Sequence, residues 1–340
     1  MLKIDPGLRP EPVPEDLEAE LAAALPETQG SRFGPLIRRW ALHVIPFILL
    51  AAAAYVLWRQ FNEISLADVT SAMRAWGRGA ILLAVGLSAS SFILMGVVEW
   101  FGLRWAGARV SLPTAVYGSF MASGVAHTLG ATLLVSGAIR ARIYNRLGVS
   151  LRQVAAATLF NGFAFAAGLS TLAGLGLVLA GHKEMAATRI ANPVADAMGV
   201  LLLGGVAAYV LACALMKRPL RGFSHSITLP SARLAMLQLS VGALDNAVAA
   251  SILWSLLPTG SVGYLSFVGA YAPSVVAGLL SHVPGGVGVF EGSLSTLLGQ
   301  VAPAPLAAAF LGYRLAFFIL PLLAACVCLV LDSLTHRPRR

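Results

Sequence analysis

Eight apolar runs fill nearly everything after residue 39: 40–58, 79–98, 112–139, 153–180, 194–216, 233–257, 262–301 and 304–331. A helix rises about 1.5 Å per residue and a bilayer core is roughly 30 Å thick, so runs of this length are what a spanning helix requires. The chain is 58% apolar and 11% charged, with a mean hydropathy of +0.79. Soluble chains average about 45–50% and about 25%. These features predict an all-α polytopic membrane protein. They argue against a collagen, a disulfide scaffold and a nucleic-acid binder. The net charge of +9 and pI near 10.0 come from Lys and Arg placed between the apolar runs, where they set orientation. Cys213, Cys326 and Cys328 lie within apolar runs and form no C-x-x-C pair, so no disulfide framework or zinc site is expected.

Two of the runs are interrupted. Gly124 and His127-Thr-Leu-Gly130 break 112–139, and His282-Val-Pro-Gly-Gly-Val-Gly288 breaks 262–301. Proline and clustered glycine end or bend helices, and irregular backbone at membrane depth survives only where protein or a wet cavity satisfies it. Read as re-entrant hairpins that leave on the side they entered, these two stretches leave six full spans. With the N-terminus inside, 16 Lys and Arg then face the cytoplasm and 5 face outside. The positive-inside rule favours that layout over one in which 112–139 crosses once. Both termini are accordingly expected in the cytoplasm.

Each half reads span, span, hairpin, span, and the starts of matching runs differ by 154, 154, 150 and 151 residues. Three crossings per half invert the second copy, a transporter pattern in which the binding site lies near the midplane at the repeat interface. The predicted organisation is a tail at 1–39, a transmembrane domain at 40–335, and repeats at about 40–180 and 194–331. The alternative is eight ordinary helices interrupted by glycines. The tail is acidic and Pro-rich, buries too little apolar area to order itself, and is predicted to be disordered. The first apolar run starts only near Trp40, so no secretory signal peptide is read.

Chemistry-bearing residues concentrate at the second break. Pro284, Gly285, Gly286 and Gly288 form a turn open to close approach, and Val289 onward begins a half-helix whose N–H groups suit a phosphate. Glu291 falls in its first turn, either as a cap or as a ligand. His282 either bonds Glu291 across the turn or satisfies a buried carbonyl. Arg140, Arg142, Arg146 and Arg152 follow the first hairpin, either as a phosphate-binding cluster or as plain topology determinants. Tyr144 and Tyr313 read as interface anchors. Within or at the ends of spans lie Glu99, His127, Asp245 and Arg314, and intramembrane charge is costly enough to need a cavity or a partner. Arg314 is suited to a lipid phosphate or to a carboxylate such as Glu291 or Asp245. Asp245, followed by Asn246, is suited to a cationic headgroup, a coupling proton, or a static pair with Arg314. Glu99 lies near a span end and reads as solvated, His127 as a satisfied core histidine, and Ser88, Ser90 and Ser91 as close helix packing.

The run His282-Val-Pro-Gly-Gly-Val-Gly-Val-Phe-Glu291 resembles the signature of the lysylphosphatidylglycerol synthetase transmembrane region, the flippase-like domain of MprF and its stand-alone bacterial relatives. A second run, Ser136 to Ser150, resembles the arginine- and tyrosine-containing loop of the same family, and the resemblance extends over roughly 40–335. It implies a bacterial inner-membrane protein of a family whose members move aminoacylated phospholipid between leaflets. The chain ends at Arg340, so the aminoacylating domain is expected to be absent and the chain is not expected to be an enzyme by itself. No P-loop, H-E-x-x-H helix or G-x-S-x-G elbow is present, so no cofactor or metal is expected. The expected partners are membrane phospholipids or related amphiphiles. The alternative reading is a non-transporting accessory subunit of a separately encoded lipid-modifying enzyme.

Overall fold

A computed structural model of the chain describes residues 71, 74–129, 132–180, 188, 190–216, 220–222, 225–227, 229–281 and 283–335. The tail at 1–39, the first run at 40–58 and His282 lie outside the described residues. The rest is all-helical apart from a small antiparallel hairpin pairing β1 (Leu220–Gly222) with β2 (His225–Ile227). Five helices are long and apolar enough to cross a membrane. The chain is a multi-pass membrane protein.

Long helices α1 (Arg78–Trp105) and α4 (Leu151–Leu179) flank the first hairpin, whose arms are α2 (Leu112–Leu129) and α3 (Thr132–Asn145). The arms fold back on each other, so that Tyr144 at the end of one reaches Ala115 at the start of the other. A capping box opens α4: Ser150 Oγ accepts the Gln153 N–H at 3.3 Å, and Gln153 Oε1 accepts the Ser150 N–H at 3.0 Å. The second half begins with α5 (Asn192–Leu215), started by a proline in its first turn, and α6 (Ala232–Trp254), capped by Ser231. Its hairpin is α7 (Tyr264–Leu280), a tight turn at Pro284–Gly286, and α8 (Val289–Leu297). At nine residues, α8 extends about 14 Å, so it cannot cross a bilayer. The chain ends in α9 (Pro303–Arg314), a π-turn at Leu315–Ile319, and α10 (Leu320–Thr335).

The π-turn has a local cause. In its register the Leu320 N–H bonds the Leu315 carbonyl five residues back. The next donor in that register would be residue 321, a proline without an N–H, which frees the Ala316 carbonyl. Ser88 Oγ donates to that carbonyl at 2.8 Å.

The two halves pack by exchange. The first arm of the second hairpin, α7, lies on α4, while the first arm of the first hairpin, α2, lies on α10. At the centre α1 packs on α6. Close approach depends on small residues, as in many membrane helix pairs. Gly168 of α4 and Gly242 of α6 meet backbone to backbone, and a Cβ on either would overlap the other helix.

Candidate functional site

Polar and charged side chains gather at three places in this apolar frame. The first is the tip of the second hairpin. Gly285, Gly286 and Gly288 have φ of 61°, 64° and 82°, left-handed values that cost an L-residue with a Cβ about 1–2 kcal/mol. The turn they make is clamped by Arg314. Its Nη1 donates to the Gly285 carbonyl at 2.5 Å and its Nε to Glu291 Oε1 at 2.7 Å. The other oxygen of Glu291 accepts the Gly288 N–H at 2.8 Å. One guanidinium and one carboxylate thus close the loop from both sides, and the guanidinium also lies over the Phe318 ring at 4.5 Å. Gly285 faces the Thr128 carbonyl and Arg314, so the tips of the two hairpins meet beside this clamp.

The second place is the junction of α1, α3 and α4. Glu99 is 0% exposed. Its Oε2 accepts Arg140 Nε at 2.7 Å and Asn161 Nδ2 at 2.5 Å. Glu99 Oε1 and Asn161 Oδ1 are buried with no hydrogen-bond partner among the described residues. Tyr144 is also fully buried, its ring seated against Gly118, where a Cβ would collide with the hydroxyl.

The third lies between α1 and α6, where Ser91 Oγ donates to Asp245 Oδ1 at 2.5 Å. Asn246 beside it caps the Gly242 carbonyl at 2.8 Å and reaches the Phe165 carbonyl at 3.3 Å. Two further tyrosines, Tyr271 of α7 and Tyr313 of α9, join hydroxyls at 2.9 Å.

Several sequence expectations are corrected by these contacts. Of the two carboxylates read as partners for Arg314, Glu291 takes it and Asp245 does not, and the Gly285 carbonyl completes its fork. Glu99 is not solvated, because α3 and α4 close over it and bring Arg140 and Asn161 to its carboxylate. Tyr144 and Tyr313 are core residues, not surface anchors, at 0% and 4% exposure. Ser91 does more than pack, since it holds a carboxylate. The arginine cluster is divided: Arg140 points inward, whereas Arg142 and Arg146 are exposed. Of the remaining residues singled out, Pro284 lies in the turn itself, and His127 sits among Phe92, Phe317 and Phe318 with Nδ1 unbonded among the described residues. Asn161 was missed altogether, although an amide at mid-span is a signal of the same kind as an intramembrane charge. Among the described residues no group of acidic, histidine or cysteine side chains is arranged to hold a metal.

The family described as the lysylphosphatidylglycerol synthase TM region has a model that matches residues 44–325. Two curated proteins are similar over most of their length. The Inner membrane protein YbhN of Escherichia coli is 27% identical over 313 residues, covering 88% of this chain and 96% of that protein. Protein slr0712 of Synechocystis is 28% identical over 261 residues, covering 76% and 81%.

Proposed function

The chain belongs to the lysylphosphatidylglycerol synthase transmembrane family, and from that membership we propose that it moves a phospholipid or similar amphiphile between the leaflets of a bacterial inner membrane. The location follows that of the Escherichia coli relative, an inner membrane protein. The observation that carries the reading is the clamp at the meeting point of the two broken hairpins. There Arg314, 6% exposed at its side chain, holds Glu291, 15% exposed.

Breaking a buried ion pair by removing one partner costs about 3–5 kcal/mol, because the other charge is left uncompensated. A lipid phosphate arriving at Arg314 avoids that cost. It replaces the Glu291 carboxylate on a guanidinium whose fork fits either anion bidentately. The displaced Glu291 lets go of the Gly288 N–H as well, so exchange of one anion for another unlocks the turn. In an inverted repeat, rocking of one half against the other then presents the headgroup to the opposite leaflet. The Arg140–Glu99 pair, which ties the first hairpin to α1, has the same makeup and serves as the second latch. No catalytic step is assigned to any of these groups.

Native mass spectrometry of the purified protein with its co-purifying lipids, beside a Glu291→Gln, Arg314→Ala double variant, tests this. A defined lipid retained by the wild type and lost from the variant supports the site. Indistinguishable bulk lipid on both makes the clamp a packing device and favours the accessory-subunit reading.

A further inference from the structure

We infer that Asp245 takes up and releases a proton during the transport cycle, an inference that rests on the translocation reading above. Ser91 is the fourteenth of the 28 residues of α1, midway between Arg78 and Arg104. At about 1.5 Å per residue it lies roughly 20 Å from each of these arginines along the helix. Asp245, the fourteenth of the 23 residues of α6, bonds directly to it, so both stand near the bilayer centre. A carboxyl at that depth is normally paired or part of a proton pathway. Among the described residues no Lys or Arg forms an ion pair with Asp245. A Ser hydroxyl is a partner that suits both protonation states, because it donates to a carboxylate and accepts from a carboxylic acid.

Most other ionisable groups around α6 are engaged elsewhere. The helices packed on it contribute Glu99 from α1, Tyr209 and Cys213 from α5, Tyr264 and Tyr271 from α7, and Tyr313 and Arg314 from α9; α4 contributes Asn161, which does not titrate. Glu99 is held by Arg140, Tyr209 by Gln238, Tyr264 by the Ala247 carbonyl and Arg314 by Glu291, while Tyr271 and Tyr313 join hydroxyl to hydroxyl at 2.9 Å. None of these forms an ion pair or hydrogen bond with Asp245 among the described residues, so a proton taken up by its carboxylate leaves a neutral carboxylic acid held by Ser91 alone.

The test reconstitutes the full chain in vesicles of phosphatidylethanolamine and phosphatidylglycerol with a fluorescent phosphatidylglycerol tracer. A pH step across the membrane is expected to raise wild-type tracer flux severalfold in one direction, with a protonophore abolishing the effect. A sodium gradient at constant pH is expected to do nothing. Asp245→Asn is expected to exchange tracer at a rate that neither gradient nor protonophore changes. Infrared titration of the same samples gives a readout independent of lipid movement. A protonated-carboxyl band is expected in the wild type, missing from Asp245→Asn and moved along the pH axis in Ser91→Ala, which covers the case that Asp245→Asn does not fold. Tracer flux that ignores pH, follows sodium, or stays gradient-driven in Asp245→Asn overturns the proposal. Flux without the band overturns it too and leaves translocation standing. The band without any flux overturns translocation, and with it the coupling.

Discussion

Ser91 and Asp245, 154 residues apart, join the middles of α1 and α6 by a hydrogen bond. That separation equals the offset between the starts of the apolar runs at 79 and 233. Neighbouring contacts follow a like spacing. Ser88 bonds the Ala316 carbonyl, and Gly242, again 154 residues beyond Ser88, presses on the Ala164 carbonyl. Phe92 stacks near Phe317, while Asn246, its equivalent, bonds the Phe165 carbonyl. The packing of α7 on α4 and of α2 on α10 is a like exchange between whole helices. Arg140 and Glu291 stand 151 residues apart on the second arms of their hairpins, each holding an ion pair, with opposite charges.

Removing one partner of the fully buried latch is expected to be severe, and removing both mild. Glu99→Gln leaves Arg140 unpaired and should cost about 3–5 kcal/mol, whereas Glu99→Leu with Arg140→Met should recover most of it. Thermal unfolding of the three proteins in one detergent measures this. A double variant no more stable than the single one would mean that the pair is not what orders this junction.

Tyr144 and Gly118 are a lock and its keyhole. Gly118→Ala drives a Cβ into the Tyr144 hydroxyl and should cost about 1–3 kcal/mol, as overpacking does. Tyr144→Phe removes the nearest of the overlapping atoms and leaves two ring carbons at 2.6 and 2.9 Å from that Cβ, so the double variant should recover only part of the loss of Gly118→Ala. Strict additivity of the two changes would place the conflict elsewhere.

The turn glycines should tolerate alanine in a graded way. Gly286→Ala combines a φ of 64° with a Cβ only 3.1 Å from the Gly278 Cα, so it should lose more than the roughly 1–2 kcal/mol of left-handed strain. Gly137→Ala on α3, with nothing within 4 Å of its Cβ, should be close to neutral. Melting curves of the two variants should separate by several degrees, and similar curves would argue against a tight turn.

The fold was legible because lipid imposes its own length scale on sequence. Apolar runs mark helices, and the Pro and Gly cluster at 282–288 marks an interruption of the kind that membrane depth permits, whereas Gly124 and His127, read as a break, stay helical within α2, which runs to Leu129. The partners were not legible. Helices in lipid are apolar on every side, so no polar stripe tells which face of α1 turns Glu99 to Arg140. Whether Arg314 meets Asp245 or Glu291 depends on the rotation of α9 and on where the Gly-rich turn ends, and neither is written in hydropathy. The Ser91–Asp245 contact did carry a signal, since their separation equals the repeat offset. That signal needs the facing of α1 and α6 to be known, which hydropathy does not give.

Replacing each latch arginine by lysine separates charge from shape. Arg140 gives the Glu99 carboxylate a hydrogen bond from Nε at 2.7 Å, and Asn161 supplies another. A lysine ammonium keeps the charge beside Glu99 with Asn161 still in place, so Arg140→Lys should cost about 1–2 kcal/mol. Arg314 bonds the Glu291 carboxylate and the Gly285 carbonyl with different nitrogens and stacks on Phe318. A point charge on a flexible stem cannot hold those positions together or lie flat on a ring. Arg314→Lys should therefore cost more, about 3 kcal/mol or above, since a hydrogen bond to a charged group contributes about 1.5–3 kcal/mol. Its loss should also free the turn: protease nicking or amide exchange at 283–288 should accelerate in Arg314→Lys and stay at the wild-type rate in Arg140→Lys. Equal melting shifts with an unchanged turn would mean that Arg314 acts by charge alone, and that the Gly-rich turn holds its shape without the fork.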